Sequence, residues 1–490
     1  MTDPSARMRS QPRWFWPALL PVVAGLFWLA VGWRAGLIAG LVMSPSGALM
    51  LAPGLALLLF PGDRQISHYL AFGALTGMLL SAGLWPFLGV FPVLGLALLA
   101  LLCFFVAGYT AVFQAAAGAD VPVPRLDWRL AGKAAWDEAI LAYFVGTARV
   151  PTGQQVAGDA LELARLRDLG EQRGWLAEPD RLHPAPPAPA KPALGHRYAA
   201  GQGFLLLRFD SGYRPDPALP GAERWQAQAA NQRMAVRVFR HPGPPRPWLL
   251  CIHGYRMGRP AIDFSLFQVE RLHRDLGYNL LMPILPLHGE RKVHARSGSG
   301  FLDGHMADIF HAESQALWDL RRTLAWLRRN EPEADVGVLG YSLGGYNAAL
   351  LSALDRDLRC VIAGIPLADM ADVVWRHLPI LHLRYIEAAG VTPALARAAL
   401  APVSPLMLPC RVGADRRFVF AATGDQLVPP GQATRLADHW GGAPIHWYHG
   451  SHLSARREAS VQTFIEQCLD QSGLAPPTPD AGGCLRPAQT

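Results

Sequence analysis

Residues 65–119 contain no Asp, Glu, Lys or Arg. So long a run without charge suits the hydrocarbon of a bilayer and few other settings, and a helix needs about 20 apolar residues to cross. Two shorter runs precede it: residues 14–33, and the stretch between Arg34 and Asp63. The longest run has room for two crossings, so spans are predicted near 14–33, 36–60, 67–88 and 91–115. Trp14, Trp16, Trp33 and Trp85 fall near span ends, where amphipathic rings settle. The second span contains Met43-Ser44-Pro45-Ser46-Gly47, which reads as a kink, a re-entrant break or an early helix end. Three crossings therefore stand as an alternative to four. A signal peptide does not fit the first span, because its apolar core is too long and no small-x-small cleavage site follows.

The span count decides the side on which the rest of the chain lies. Arg7, Arg9 and Arg13 precede the first span, and Arg125, Arg129 and Lys133 follow the last. Four spans put all six on one face with Arg64, opposed only by Arg34, which is the cytoplasmic face by the positive-inside rule. Three spans would split them. The arginine-rich, lysine-poor, alanine-rich composition goes with a GC-rich bacterial genome, hence a multi-pass protein of a bacterial inner membrane. No charged residue lies inside the spans, which favours an anchor or a lipid-access role over a transport path. His68 sits at a span edge and reads as interfacial.

The formal net charge is +7, yet lysine occurs only at 133, 191 and 292, and no compact basic run interleaves with aromatics. Nucleic-acid binding is not expected. Cys103, Cys251, Cys360, Cys410, Cys468 and Cys484 show no CxxC spacing and read as buried and reduced, with neither disulfide nor zinc. No metal or cofactor is expected, and the sequence names no protein partner.

Four regions follow. Residues 1–120 hold the membrane helices. Residues 121–195 form a helical connector, with apolar spacing of three and four across 158–169, ending in the Pro-rich linker at 184–189 and 192. Residues 196–471 form an α/β domain, and 472–490 a disordered tail rich in Pro and Gly. Strands are predicted at 204–209, 234–239, 247–252, 279–284, 336–339, 360–365, 417–422 and 445–448, alternating later with helices such as 309–329. That pattern means a mainly parallel sheet covered on both faces.

On the strand 336–339 follows Gly340-Tyr341-Ser342-Leu343-Gly344-Gly345, and then a helix-like run. A serine lifted from a sheet edge needs a tight strand-to-helix turn, and the positions two before and two after it crowd each other. Gly340 and Gly344 are therefore required to lack side chains. Over about residues 200–470 this resembles the α/β-hydrolase superfamily, which implies the α/β-hydrolase fold and a nucleophile at Ser342. The resemblance orders nucleophile, acid and base along the chain. It makes Asp425, in the turn Thr423-Gly424-Asp425-Gln426, the acid, with Asp369 in reserve. It makes His452, in His449-Gly450-Ser451-His452, the base, with His449 the alternative. In that scheme the acid fixes the imidazole tautomer and the base takes the hydroxyl proton. The backbone N–H groups of Leu343 and Tyr255 would form the oxyanion hole. His253 and Gly254 would support the loop, with His253 structural. His288, in Pro286-Leu287-His288-Gly289, has no second ligand at suitable spacing and reads as a hydrogen-bonded loop residue.

The stretch 367–412 exceeds one crossover helix and sits where the superfamily often inserts a cap. Its first part is apolar, through Trp375, Leu378, Ile380, Leu381, Leu383, Tyr385 and Ile386. Those residues either shape a greasy pocket or merely seal the cap to the core. Cap and anchor together point to an esterase or lipase cleaving an acyl ester or lipid-like substrate at the bilayer. A thioesterase, amidase or peptidase shares the chemistry. A membrane scaffold without turnover is the reading outside enzymes, and the complete Ser-Asp-His set argues against it.

Overall fold

The computed structural model describes residues 16–59, 65–115 and 120–476. Arg7, Arg9, Arg13, Trp14, Arg64, Cys484 and the tail beyond 476 lie outside the described residues. A 3-10 turn, Trp16–Ala18, leads into α1 (Leu19–Arg34), which is followed by α2 (Leu37–Leu59), α3 (Gln65–Leu88) and α4 (Val90–Gln114). Each of the four is long and apolar enough to cross a membrane, α1 with its leading turn. They pack closely through small residues, as membrane helices do. A Cβ on Gly25 would lie 2.5 Å from the Leu51 nitrogen, and one on Gly73 would lie 2.4 Å from the Leu49 Cβ. The break considered at 43–47 is absent. α2 runs through Pro45 and Pro53, with the Ser44 hydroxyl donating to the Gly40 carbonyl at 2.6 Å. His68, at the edge of the third helix, is buried and bonds Glu138.

Two helices then join the bundle to the sheet. α5 (Trp128–Gly146) starts at Asp127, whose side chain accepts from the Leu130 N–H at 2.8 Å, a regular N-cap. A Cβ on Gly108 of α4 would lie 1.8 Å from the Ala131 carbonyl, so helix backbones nearly touch there. On another side of α5, a Cβ on Gly424 would meet Leu130 at 2.6 Å. α5 is thus packed between bundle and sheet domain. α6 (Gly153–Arg173) ends at the left-handed Gly174 and sends Val156, Leu163 and Leu166 into the main core. The Pro-rich segment is held along the helix Met306–Asn330, where Arg321 donates to the His183 carbonyl at 2.7 Å and Arg322 to that of Pro187 at 3.1 Å.

The sheet has nine strands: β1 (Ala193–Ala199), β2 (Gln202–Asp210), β3 (Arg233–Phe239), β4 (Trp248–Ile252), β5 (Asn279–Pro283), β6 (Val336–Tyr341), β7 (Cys360–Gly364), β8 (Arg417–Ala422) and β9 (Ile445–Tyr448). Their order is β1-β2-β3-β5-β4-β6-β7-β8-β9. The pairs β1/β2, β2/β3 and β3/β5 are antiparallel and the rest parallel. This is the α/β-hydrolase topology with one added edge strand. That strand, β1, straddles the boundary drawn at 195/196 and was not among the strands predicted from sequence. Its residues are mostly exposed, so it lacks the apolar alternation that marks a strand. The central strands alternate between two cores: Leu250, Ile252 and Val338 point to one, and Leu249, Cys251 and Leu339 to the other. Leu474 is fully buried in the second core, so chain within the expected tail is packed. The cap stretch holds the helices Met370–His377, Ile380–Ala388 and Pro393–Leu400. Cys251 and Cys360 are buried, as expected, and so are Cys103 and Cys468, while Cys410 is half-buried.

Candidate active site

The turn from β6 into the helix Leu343–Ser352 puts Ser342 at φ 58°, ψ −116°. A non-glycine residue there is strained by about 1–3 kcal/mol, and the packing around it must hold the conformation. The glycines make that packing possible. A Cβ at Gly340 would lie 2.0 Å from the Gly344 carbonyl, and one at Gly344 would lie 1.8 Å from the Ile252 carbonyl. The Ser342 N–H donates to the Gly364 carbonyl at 2.9 Å, which locks the elbow to β7.

The residues predicted as acid and base come together across 27 positions of chain. His452 Nδ1 lies 2.7 Å from Asp425 Oδ2, and both side chains are buried. The other oxygen, Oδ1, accepts from the Val428 N–H at 2.8 Å. Burial opposes a charge on His452, but the Asp425 carboxylate and its hydrogen bond favour it, and the net shift is upward. Ser342, His452, Leu343 and Tyr255 all line one cavity of about 1070 Å³. Leu343 opens its helix, so its N–H has no acceptor within that helix. Gly254 abuts the elbow, since a Cβ there would lie 3.4 Å from the Ser342 Cβ.

The alternatives lie elsewhere. Asp369 caps the helix Met370–His377 by accepting from the Asp372 N–H at 3.0 Å, and it pairs with Arg397 at 2.7 Å. His449 is half-exposed and bonds Asp127 at 3.1 Å. His253 is a buried support: its Nε2 accepts from the Leu285 N–H at 3.2 Å, which leaves Nδ1 to donate to the Gly254 carbonyl at 2.9 Å. Burial pulls its pKa down to about 4, in keeping with a neutral ring. His288 is buried beside it, bonds the Pro286 carbonyl at 2.8 Å, and is pushed down to about 3 by burial and by His253.

α5 supplies what the sequence did not suggest. Its Asp137 carboxylate is buried against both the turn that holds Asp425 and the loop that holds His452. Phe144 packs edge-on against Tyr255 with centroids 5.6 Å apart, and Arg256 lies 5.3 Å from the Phe144 ring centroid. The signal available in the sequence was a pair of adjacent carboxylates, Asp137-Glu138, inside an otherwise apolar helical run.

No protein-family model matches the chain. Two sequences from Mycobacterium tuberculosis, "Uncharacterized protein Rv2627c" and "Uncharacterized protein MT2702", are each 37% identical over 355 residues, covering 72% of this chain and 85% of theirs. Among solved structures, acetyl xylan esterase 1 from Thermoanaerobacterium sp. aligns at TM-score 0.41 and 15% identity, over 68% of this chain and 98% of that one. Pyrococcus horikoshii acylaminoacyl peptidase aligns at TM-score 0.35 and 12% identity, over 57% of this chain and 41% of that one. Likeness this distant says nothing of substrate.

Proposed function

The chain belongs to the family of these mycobacterial relatives, and from its α/β-hydrolase fold and site we propose that it is a membrane-anchored serine hydrolase cleaving acyl esters of lipid-like substrates. Ser342 attacks the acyl carbon, and His452 takes the hydroxyl proton and returns it to the leaving alcohol. Asp425 holds the imidazole tautomer and stabilises its charge. The N–H groups of Leu343 and Tyr255 receive the oxyanion. Water then attacks the acyl-enzyme, with His452 again as base. The observation that carries this reading is the His452–Asp425 bond at 2.7 Å in the cavity that Ser342 also lines.

The cavity's position supports the substrate class. Its wall includes Leu378, Pro379 and His382 of the cap. Gln65, the first residue of α3, donates to the Leu378 carbonyl at 2.8 Å, so the cap touches the end of a membrane helix. Ile380 and Leu381 beside it are 54% and 74% exposed, an apolar edge suited to a bilayer surface. The cytoplasmic face is proposed from Arg125, Arg129 and Lys133, which follow the fourth helix. A C-terminal alkaline phosphatase fusion is expected to be inactive, and an active one overturns that side.

Full-length protein assayed on esters of rising acyl length is expected to prefer long chains. A preference for short soluble esters removes the lipid-like class. Turnover of amides or thioesters above esters redirects the reading to those leaving groups.

A further inference from the structure

α5 carries two neighbouring carboxylates with different partners. Glu138 accepts from the Ser67 hydroxyl at 2.6 Å and bonds His68, both on α3 of the bundle. Among the described residues no cationic side chain bonds Asp137, whose partners are a hydroxyl and three backbone N–H groups. Its Oδ1 accepts from the Ser451 hydroxyl at 2.9 Å and the Leu453 N–H at 3.1 Å. Its Oδ2 accepts from the His452 N–H at 2.9 Å and the Gln426 N–H at 3.2 Å. Gln426 follows the proposed acid, and the other three donors lie in or flank the proposed base. Ser451 is fixed again by Tyr448, whose hydroxyl donates to its carbonyl at 3.0 Å.

A carboxylate taken wholly out of water is strongly destabilising unless its lone pairs are satisfied. Four donors from two loops satisfy this one, and the loops are thereby fixed to each other. We propose that Asp137 is a positioning residue, which holds the loops bearing His452 and Asp425 in register with Ser342 from a helix docked on the membrane bundle. This rests on the serine-hydrolase reading above. Two further contacts of α5 act in the same direction: Lys133, one turn earlier, bonds Glu458 at 2.5 Å and the His449 carbonyl at 3.1 Å.

An amide cannot replace this group. Asparagine offers one acceptor oxygen, and its NH₂ would face two of the donors. The charge matters as well as the shape. Burial and the nearby Asp425 push the Asp137 pKa up, the N–H donors of His452 and Leu453 oppose that and favour the carboxylate, and Asp137 in turn helps raise the pKa of His452. The ionisable groups around it are Asp425 and His452 in the loops, Tyr448 in β9, and Lys133 and Glu138 on α5 itself.

The test is the rate at which a fluorophosphonate labels Ser342 in the full chain in detergent, followed across pH. Asp137→Asn is expected to slow labelling about 10²-fold, the scale of a small misplacement of reacting groups. Its acid limb should also move to lower pH, because one of the charges favouring protonated His452 is gone. Glu138→Gln removes an equally buried carboxylate from the same helix and should leave the limb where it is. Asp137→Asn labelled at the wild-type rate with an unmoved limb overturns the proposal. If Asp137→Asn does not fold, Ser451→Ala removes one donor and should slow labelling about tenfold, one hydrogen bond to a charged group. A wild-type rate in Ser451→Ala then overturns it. Wild-type protein that takes no label fails the serine-hydrolase reading instead, whatever Asp137 does.

Discussion

The proposed nucleophile elbow and the proposed base loop line one cavity but are built by opposite means. The elbow is local. Gly340, Ser342 and Gly344 are two residues apart, and the missing side chains are demanded by contacts of 2.0 and 1.8 Å with neighbouring backbone. The base loop is remote. His452 is oriented by a carboxylate 27 residues away and its backbone is held by one 315 residues away, on a helix outside the sheet. A motif can specify the first. Only the docking of α5 between bundle and sheet can specify the second.

The sharpest break of this comparison is Gly344→Ala. Its new Cβ would enter the Ile252 carbonyl, with no flexible side chain to move, so a loss of about 4 kcal/mol or more is expected. Soluble, folded Gly344→Ala, judged by its thermal midpoint, would mean that the elbow is not fixed locally. Asp425→Asn is next. It keeps the shape but leaves the wrong tautomer, so labelling should fall about 10⁴-fold with the fold intact. A fall in Asp369→Asn of the same size would return the acid to the reserve position. Instead Asp369→Asn keeps an acceptor for the Asp372 N–H and loses only partly exposed ion pairs, so stability should change by under about 1 kcal/mol, with labelling unchanged. The pH profile sharpens the remote half. Because Asp425 and Asp137 outweigh burial and raise the proton affinity of His452, labelling should fall on acidification through a midpoint above the ordinary value of 6.5. A midpoint below that value would mean that the carboxylates do not act on the ring.

What could be read from the sequence follows the same division. The strands of the two cores and the tight turn at Ser342 were legible because each is set by residues close in the chain. β1 was not, since an edge strand exposed on both faces has no apolar alternation. The uninterrupted α2 was not, because Pro45 is tolerated only through the packing of a bundle that sequence does not display. The partner of His68 was not legible either, because Glu138 lies 70 residues on. Asp137 stood in plain sight, but its meaning lies wholly in four donors from loops far along the chain.

The site of covalent modification tests Ser342 as the nucleophile most directly. Full-length protein treated with a fluorophosphonate, digested and mapped by mass spectrometry should carry one phosphonyl adduct, on Ser342, and lose it in His452→Gln. An adduct on another residue, or one on Ser342 undiminished in His452→Gln, would contradict the proposed mechanism.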